Sequence, residues 1–155
     1  MLRIIYSCFN NYDLMFGENA DFLIENREHV IVIDDHSSEA EAEKGKRWCQ
    51  EHGIRFCLNP GKGIPAALDY VVHDFCDHND WLLVMQQDVR FLDQKAVSKL
   101  NVRLEEVNQR GYKIGAIGFP NFVSSSHYHP DTEDLKSVKW DQCWLGLFTL
   151  SHSAH

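Results

Sequence analysis

Four short polar clusters hold the residues of this sequence that could do chemistry. They are Ser7-Cys8-Phe9-Asn10, Asp34-Asp35-His36-Ser37, the stretch Asn59-Pro60-Gly61-Lys62-Gly63, and Gln86-Gln87-Asp88. Together they offer three carboxylates, an aromatic ring and a glycine loop with a single lysine. A planar base can stack on Phe9 while a carboxylate accepts its imide N–H. A hard cation on Asp88 can hold a diphosphate, because such ions take one or two carboxylates and complete their shell with phosphate oxygens and water. Singly, each residue has a plainer use. Strand-end aspartates close Asx-turns or cap helices, and a lone Phe packs in a core. The Gly61-Lys62-Gly63 loop has neither the Walker Ser/Thr nor the dinucleotide glycine spacing. What gives the set weight is that each cluster directly follows an apolar run of strand type.

Those runs alternate with helical patterns. Leu2 to Cys8 is apolar, and residues 14–25 carry a weaker helical pattern through Leu14, Phe22 and Leu23. Val30-Ile31-Val32-Ile33 is apolar on both faces, as a central parallel strand is. Ser38-Glu39-Ala40-Glu41 reads as a capping box and Gly53 as a left-handed stop, predicting a helix over about 39–52. Ile54 to Leu58 is the next strand. Pro65 suits the first turn of a helix with Leu68, Val71, Val72 and Phe75 on one face, ended by Asn79-Asp80. Trp81 to Met85 is a fourth strand. Asp93 can cap a helix through Val97, Leu100, Leu104 and Val107 with Gly111 as its stop, and 114–119 is a fifth strand. The alternation predicts an α/β fold, a Rossmann-like, mostly parallel sheet flanked by helices. Ligands of such sheets bind outside the carboxyl ends of the strands, where the four clusters fall. Residues 120–139 are polar and aperiodic, which predicts a long loop. Trp140 to Leu150 looks ordered again, and 1–155 is read as a single domain.

Composition removes several function classes. At 155 residues with 44% hydrophobic and 12% aromatic side chains, the chain can build a core and is no disordered, collagen-like or disulfide-stapled sequence. A net charge of -8, from 15 basic and 23 acidic residues, argues against non-specific nucleic-acid binding, which needs a basic face. The five cysteines (8, 49, 57, 76 and 143) form no Cys-x-x-Cys pair. With no leader segment and no run near the roughly 20 apolar residues of a membrane span, they predict a soluble cytoplasmic protein with buried, reduced thiols. His127-Tyr128-His129 and His152 with His155 lack cysteine partners at finger spacing and are read as loop and terminal residues, not zinc ligands. Trp140 and Trp144 are read as core or as walls of a cleft.

In order and spacing, the motifs resemble glycosyltransferase family 2, which has the GT-A fold. The residues that carry the resemblance are Phe9-Asn10, the run Val30 to Ser37, the helix start Gly63 to Asp69, Leu83 to Asp88, and Ile114 to Pro120. The Gln86-Gln87-Asp88 triplet is most similar to the rhamnosyltransferase-like branch, and the resemblance covers residues 2 to about 120. It implies transfer of a sugar, with inversion, from a nucleoside diphosphate sugar of UDP or dTDP type to a saccharide or lipid-linked acceptor, as in polysaccharide assembly. It implies that Phe9 stacks on the base, that Asp35 bonds the uracil or thymine N3–H with Asp34 beside it, and that Gln87 faces the donor sugar or ribose. Asp88 would hold the Mn²⁺ or Mg²⁺ that bridges the diphosphate. Ser7 and Lys62 complete the nucleotide-sugar set. The location implied is cytoplasmic, free or peripheral at the inner face of the membrane.

Departures from the family pattern bear on activity. Phe9 replaces Tyr, Gly61-Lys62-Gly63 replaces Asn-x-Gly, and Asp69 replaces a later Asn. Gln86 replaces the first acid of Asp-x-Asp, which weakens metal binding because a neutral amide offers one oxygen and no charge. The family's catalytic base lies in the acceptor-binding half, which is read as short or missing here. Asp131, Glu133, Asp134 and Asp141 are the late carboxylates, and none is assigned as the base. The alternative reading is a non-catalytic nucleotide-binding or interaction module derived from the same fold. A related nucleotidyltransferase is disfavoured, since Ser7-Cys8-Phe9-Asn10 is not glycine-rich and basic. A half-fold that leaves Trp140, Trp144 and Phe148 partly uncovered points to self-association.

Overall fold

The β-branched runs assemble into a six-stranded sheet around β1 (Leu2–Cys8). In this computed structural model the described residues are 1–77, 80–89, 95–110, 116–118 and 146–149. β1 pairs in parallel with β2 (Val30–Asp34) on one side and β4 (Trp81–Gln86) on the other. β3 (Arg55–Leu58) pairs in parallel outside β2. β6 (Gly146–Thr149) lies antiparallel to β4 and carries β5 (Ala116–Gly118) outside it, giving the order β3-β2-β1-β4-β6-β5. The connecting helices are α1 (Tyr12–Glu25), α2 (Glu39–Glu51), α3 (Gly63–Phe75) and α4 (Ala96–Gln109).

Alternation along the strands divides the core in two. Leu2, Ile4, Tyr6 and Cys8 of β1 join Val30, Val32, Leu83 and Met85 against Met15, Phe16 and Leu23 of α1, with Cys49 of α2 and Val97 and Leu104 of α4. Ile5, Ile31, Ile33, Cys57 and Leu82 pack on Ala67 and Val71 of α3. The chain steps outward from β1 to β2 to β3 and then returns past β1 to β4. With right-handed crossovers, that reversal puts α3 on the face opposite α1 and α2.

The element boundaries depart from the sequence expectations for identifiable reasons. α1 starts at Tyr12, before residue 14, because Tyr12 is pinned by partners from α2 and β2. The capping box forms by half. Ser38 Oγ accepts the Glu41 N–H (3.4 Å), but Ser38 N–H goes to Asn10 Oδ1 (2.6 Å) and the Glu41 carboxylate to the Tyr12 N–H (3.3 Å). Gly53, at φ +69°, stops α2 as expected, and Pro65 falls in the first turn of α3. The thiols of Cys8, Cys49 and Cys57 are buried, and burial pushes those of Cys8 and Cys49 up to about 12, so they are inert packing groups. Among the described residues no helix is long and apolar enough to cross a membrane. The expectations for Asn79, Asp93, Gly111, residues 120–139, the late carboxylates, Trp140, Cys143, Trp144 and the paired histidines lie outside the described residues.

Candidate functional site

The strand order reverses between β1 and β4, and ligands of open α/β sheets usually bind in the crevice outside the carboxyl ends at such a point. Ser7 and Gln86 face each other on the last rung of the β1–β4 ladder. They lie on the α3 face, in alternation with Ile5 and Leu82. Phe9, the first residue past β1, is 54% exposed. Its N–H donates to Gln87 Oε1 at 2.7 Å, so a β4 side chain fixes the backbone beneath the ring. Asp88 is exposed in the turn that Val89 N–H closes on Gln86 O (3.1 Å).

The two aspartates at the end of β2 separate to opposite faces. Asp34 continues the Val30–Val32 face and is 1% exposed. Its Oδ2 accepts the Tyr12 hydroxyl (2.8 Å) and its Oδ1 the Ser37 N–H (3.0 Å), so its carboxylate is committed to holding the β2–α2 turn and the start of α1. Asp35 turns toward α3. Its Oδ1 accepts from Asn59 Nδ2 (2.7 Å) and from Gly63 N–H (2.9 Å), and Oδ2 shares the Gly63 N–H at 3.1 Å. A carboxylate thus sits against the first N–H of α3, where the helix dipole favours negative charge. Lys62 stands exposed at the N-cap of the same helix.

The loops past β1, β2 and β3 are stitched together. Asn10 and His36 are the non-glycine residues with positive φ (50° and 65°) among those described. Such conformations cost about 1–3 kcal/mol each and persist where surrounding contacts over-determine them. Here Asn10 N–H donates to Ser37 Oγ (2.9 Å), and His36 Nε2 bonds Gly61 O. A cavity of about 570 Å³ opens on the α2 side of β2 and β3, walled by Phe56, Leu58 and Ala42 with His36, Glu43 and Lys46 around it. Asp34, Ser37 and Asn59 also line it, so it lies at the ends of β2 and β3 and includes no residue of β1 or β4.

The structure therefore brings Ser7, Phe9, Gln87 and Asp88 together at the switch point, with Asp35 and Lys62 at the neighbouring start of α3, and turns Asp34 inward. Among the described residues no group of three or more His, Cys, Asp or Glu gathers as a metal site. Asp88 is a single carboxylate, so it fits a divalent cation whose remaining ligands are phosphate oxygens and water, as is usual for Mg²⁺ at phosphate sites. Tyr12 escapes sequence reasoning. Asn59 falls within one of the four candidate clusters by its place directly after a strand, but no role is assigned to it there.

No protein-family model matches the chain, and no curated protein matches it. Among solved structures it is similar to the mannosyltransferase PcManGT from Pyrobaculum calidifontis in complex with GDP-Man and Mn²⁺. The TM-score is 0.59 at 15% identity, over 77% of this chain and 35% of that one. The likeness shows the fold, a Rossmann-like α/β sheet, and the chain spans about a third of that structure's length.

Proposed function

We propose that this chain binds a nucleoside diphosphate sugar at the β1–β4 switch point and serves a glycosyltransferase of family 2, rhamnosyltransferase-like type. The reaction is inverting transfer from a UDP- or dTDP-type donor to a saccharide or lipid-linked acceptor on the cytoplasmic side. The observation that carries the reading is the exposed Phe9 ring, tethered through its own N–H to Gln87 and flanked by Asp88, at the edge where sheets of this kind bind ligands. In this reading the base stacks on Phe9 and gives a ring N–H to Asp35. Gln87 holds the platform and lies beside the ribose. Lys62 and Ser7 face the polar remainder of the donor. A divalent cation on Asp88 would neutralise charge on the departing diphosphate, and Gln86 makes that attachment weaker than two acids would. PcManGT was solved with GDP-Man, and guanine also presents a ring N–H, so GDP belongs in any donor survey.

Thermal unfolding with UDP, dTDP, GDP and their sugars, with and without Mn²⁺, tests the reading. A ligand at about 100 times its Kd adds about 2.7 kcal/mol, a rise of several degrees for a chain of this size. The expected result is a rise with one nucleoside diphosphate that Mn²⁺ enlarges, with the Mn²⁺ effect lost in Asp88→Ala. No rise with any nucleotide refutes it. Gln86 also favours a second reading, a nucleotide-binding module without turnover. Sugar release from a bound donor, abolished by Asp88→Ala, decides against that module.

A further inference from the structure

We propose that Asn59 is the positioning residue that makes Asp35 a selector for bases carrying a ring N–H, an inference that rests on the nucleotide-binding reading above. Asn59 is 3% exposed at the end of β3. Its backbone N–H donates to Asp34 O at 2.8 Å, extending the β2–β3 ladder one rung beyond the strands. Its side chain has a partner at every atom. Nδ2 donates to Asp35 Oδ1 (2.7 Å) and to Gly63 O (3.2 Å), while Oδ1 accepts the Gly61 N–H (3.1 Å). Reversing the amide would set an acceptor against both the carboxylate and the Gly63 carbonyl, so the network permits one orientation.

The consequence falls on Asp35. Both lone-pair positions of its Oδ1 are taken, by Asn59 and by Gly63 N–H, and the capacity that remains lies on Oδ2. Asn59 therefore holds the carboxylate in one rotamer with one oxygen to offer, and that oxygen can only accept. Uracil, thymine and guanine present a ring N–H to such an oxygen. Cytosine and adenine present a ring nitrogen lone pair, which leaves two acceptors facing each other. A site built to pair with a donor rejects the analogue that lacks it far more strongly than a shape-based pocket does. Without Asn59, Gly63 N–H alone leaves Asp35 free to swing toward water.

The test is calorimetric titration with UDP, CDP, GDP and ADP in the presence of Mn²⁺, on the parent, Asn59→Ala and Asn59→Asp. The aspartate variant is isosteric and keeps the acceptor for Gly61 N–H while replacing the donor to Asp35 with a like charge. The parent should prefer UDP over CDP, or GDP over ADP, by about tenfold or more, the scale of one hydrogen bond. In both variants that ratio should fall toward one, through loss of UDP or GDP affinity with CDP or ADP little changed. Affinities that fall together with the ratio intact assign Asn59 a purely structural duty and overturn the proposal. So does loss of folding in both variants by circular dichroism. A parent that binds nucleotides without preference overturns it too, whereas a parent that binds none of the four sinks the nucleotide reading itself.

Discussion

The Tyr12 hydroxyl donates to Asp34 Oδ2 at 2.8 Å inside the core, and burial pushes the ionisation of that phenol up, so it stays a donor. Tyr12→Phe leaves Asp34 buried with the Ser37 N–H as its remaining partner, a loss of about 1–3 kcal/mol. The urea midpoint should fall accordingly, and an unchanged midpoint would show that water replaces the hydroxyl. Phe9 makes the opposite trade, with its ring in solvent and its N–H bound. Base stacking on an aromatic side chain is worth about 1–3 kcal/mol, so Phe9→Ala should weaken nucleotide binding by about tenfold or more while stability hardly moves. Phe9→Tyr should bind as the parent does, and an Ala variant that binds equally well would remove the ring from the site. The apolar runs before them made the strand-end positions of Phe9, Asp35 and Asp88 legible in the sequence. The inward duty of Asp34 was not, because it depends on a tyrosine 22 residues away. Asn59 stood in a candidate cluster, but its pairing with Asp35 was hidden for the same reason, the partner lying 24 residues back.

At the scale of elements, α1 and α2 meet where Gly45 lies against the Tyr12 ring, and a Cβ there would overlap that ring. Tyr12 cannot retreat without breaking its bond to Asp34. Gly45→Ala should therefore destabilise by about 1–3 kcal/mol, as overpacking does, despite a helix propensity gain of up to about 1 kcal/mol. Gly17 in α1 is exposed with nothing near its Cβ position, so Gly17→Ala should stabilise by about 0.5–1 kcal/mol. Chemical denaturation of the pair checks both signs, and a stabilising Gly45→Ala would mean that the two helices slide apart freely. The parallel strands were legible because β2 is an unbroken apolar run, a pattern few other elements share. The start of α1 was blurred because Tyr12 and Asn19 are buried through tertiary partners and not through a clean apolar stripe. The capping box at Ser38 was half right for the same reason, as Asn10 and Tyr12 compete for its two arms.

Across the whole molecule, a parallel sheet gives its two edges different work. The carboxyl edge carries the candidate site, while the amino edge of β1 and β4 is tied by Asp80, 3% exposed. Its Oδ1 pairs with the Met1 ammonium (2.7 Å), and its Oδ2 takes Arg3 Nε and the Asp77 N–H, each at 3.1 Å. Burial alone would raise the Asp80 carboxyl, but the ammonium, the Asp77 N–H and Arg3 together hold it below the ordinary carboxylate value. A carboxyl lowered in the folded state lends stability that is complete above the unfolded value of about 3.9 and is lost as pH falls through the folded one. Asp80→Asn should therefore cost about 1.5–3 kcal/mol at pH 7, the scale of hydrogen bonds to charged groups. Its stability should fall less steeply than the parent's below pH of about 4, so that the two curves converge in acid. Urea midpoints from pH 7 down to about pH 2 read this directly, and parallel curves would mean that Asp80 is not the group that titrates. Nucleotide affinity at neutral pH should be the same for both proteins, because the substitution lies at the edge of the sheet opposite Phe9, Asp35 and Asp88. A change in affinity would mean that strain passes along β1 or β4 from one edge to the other.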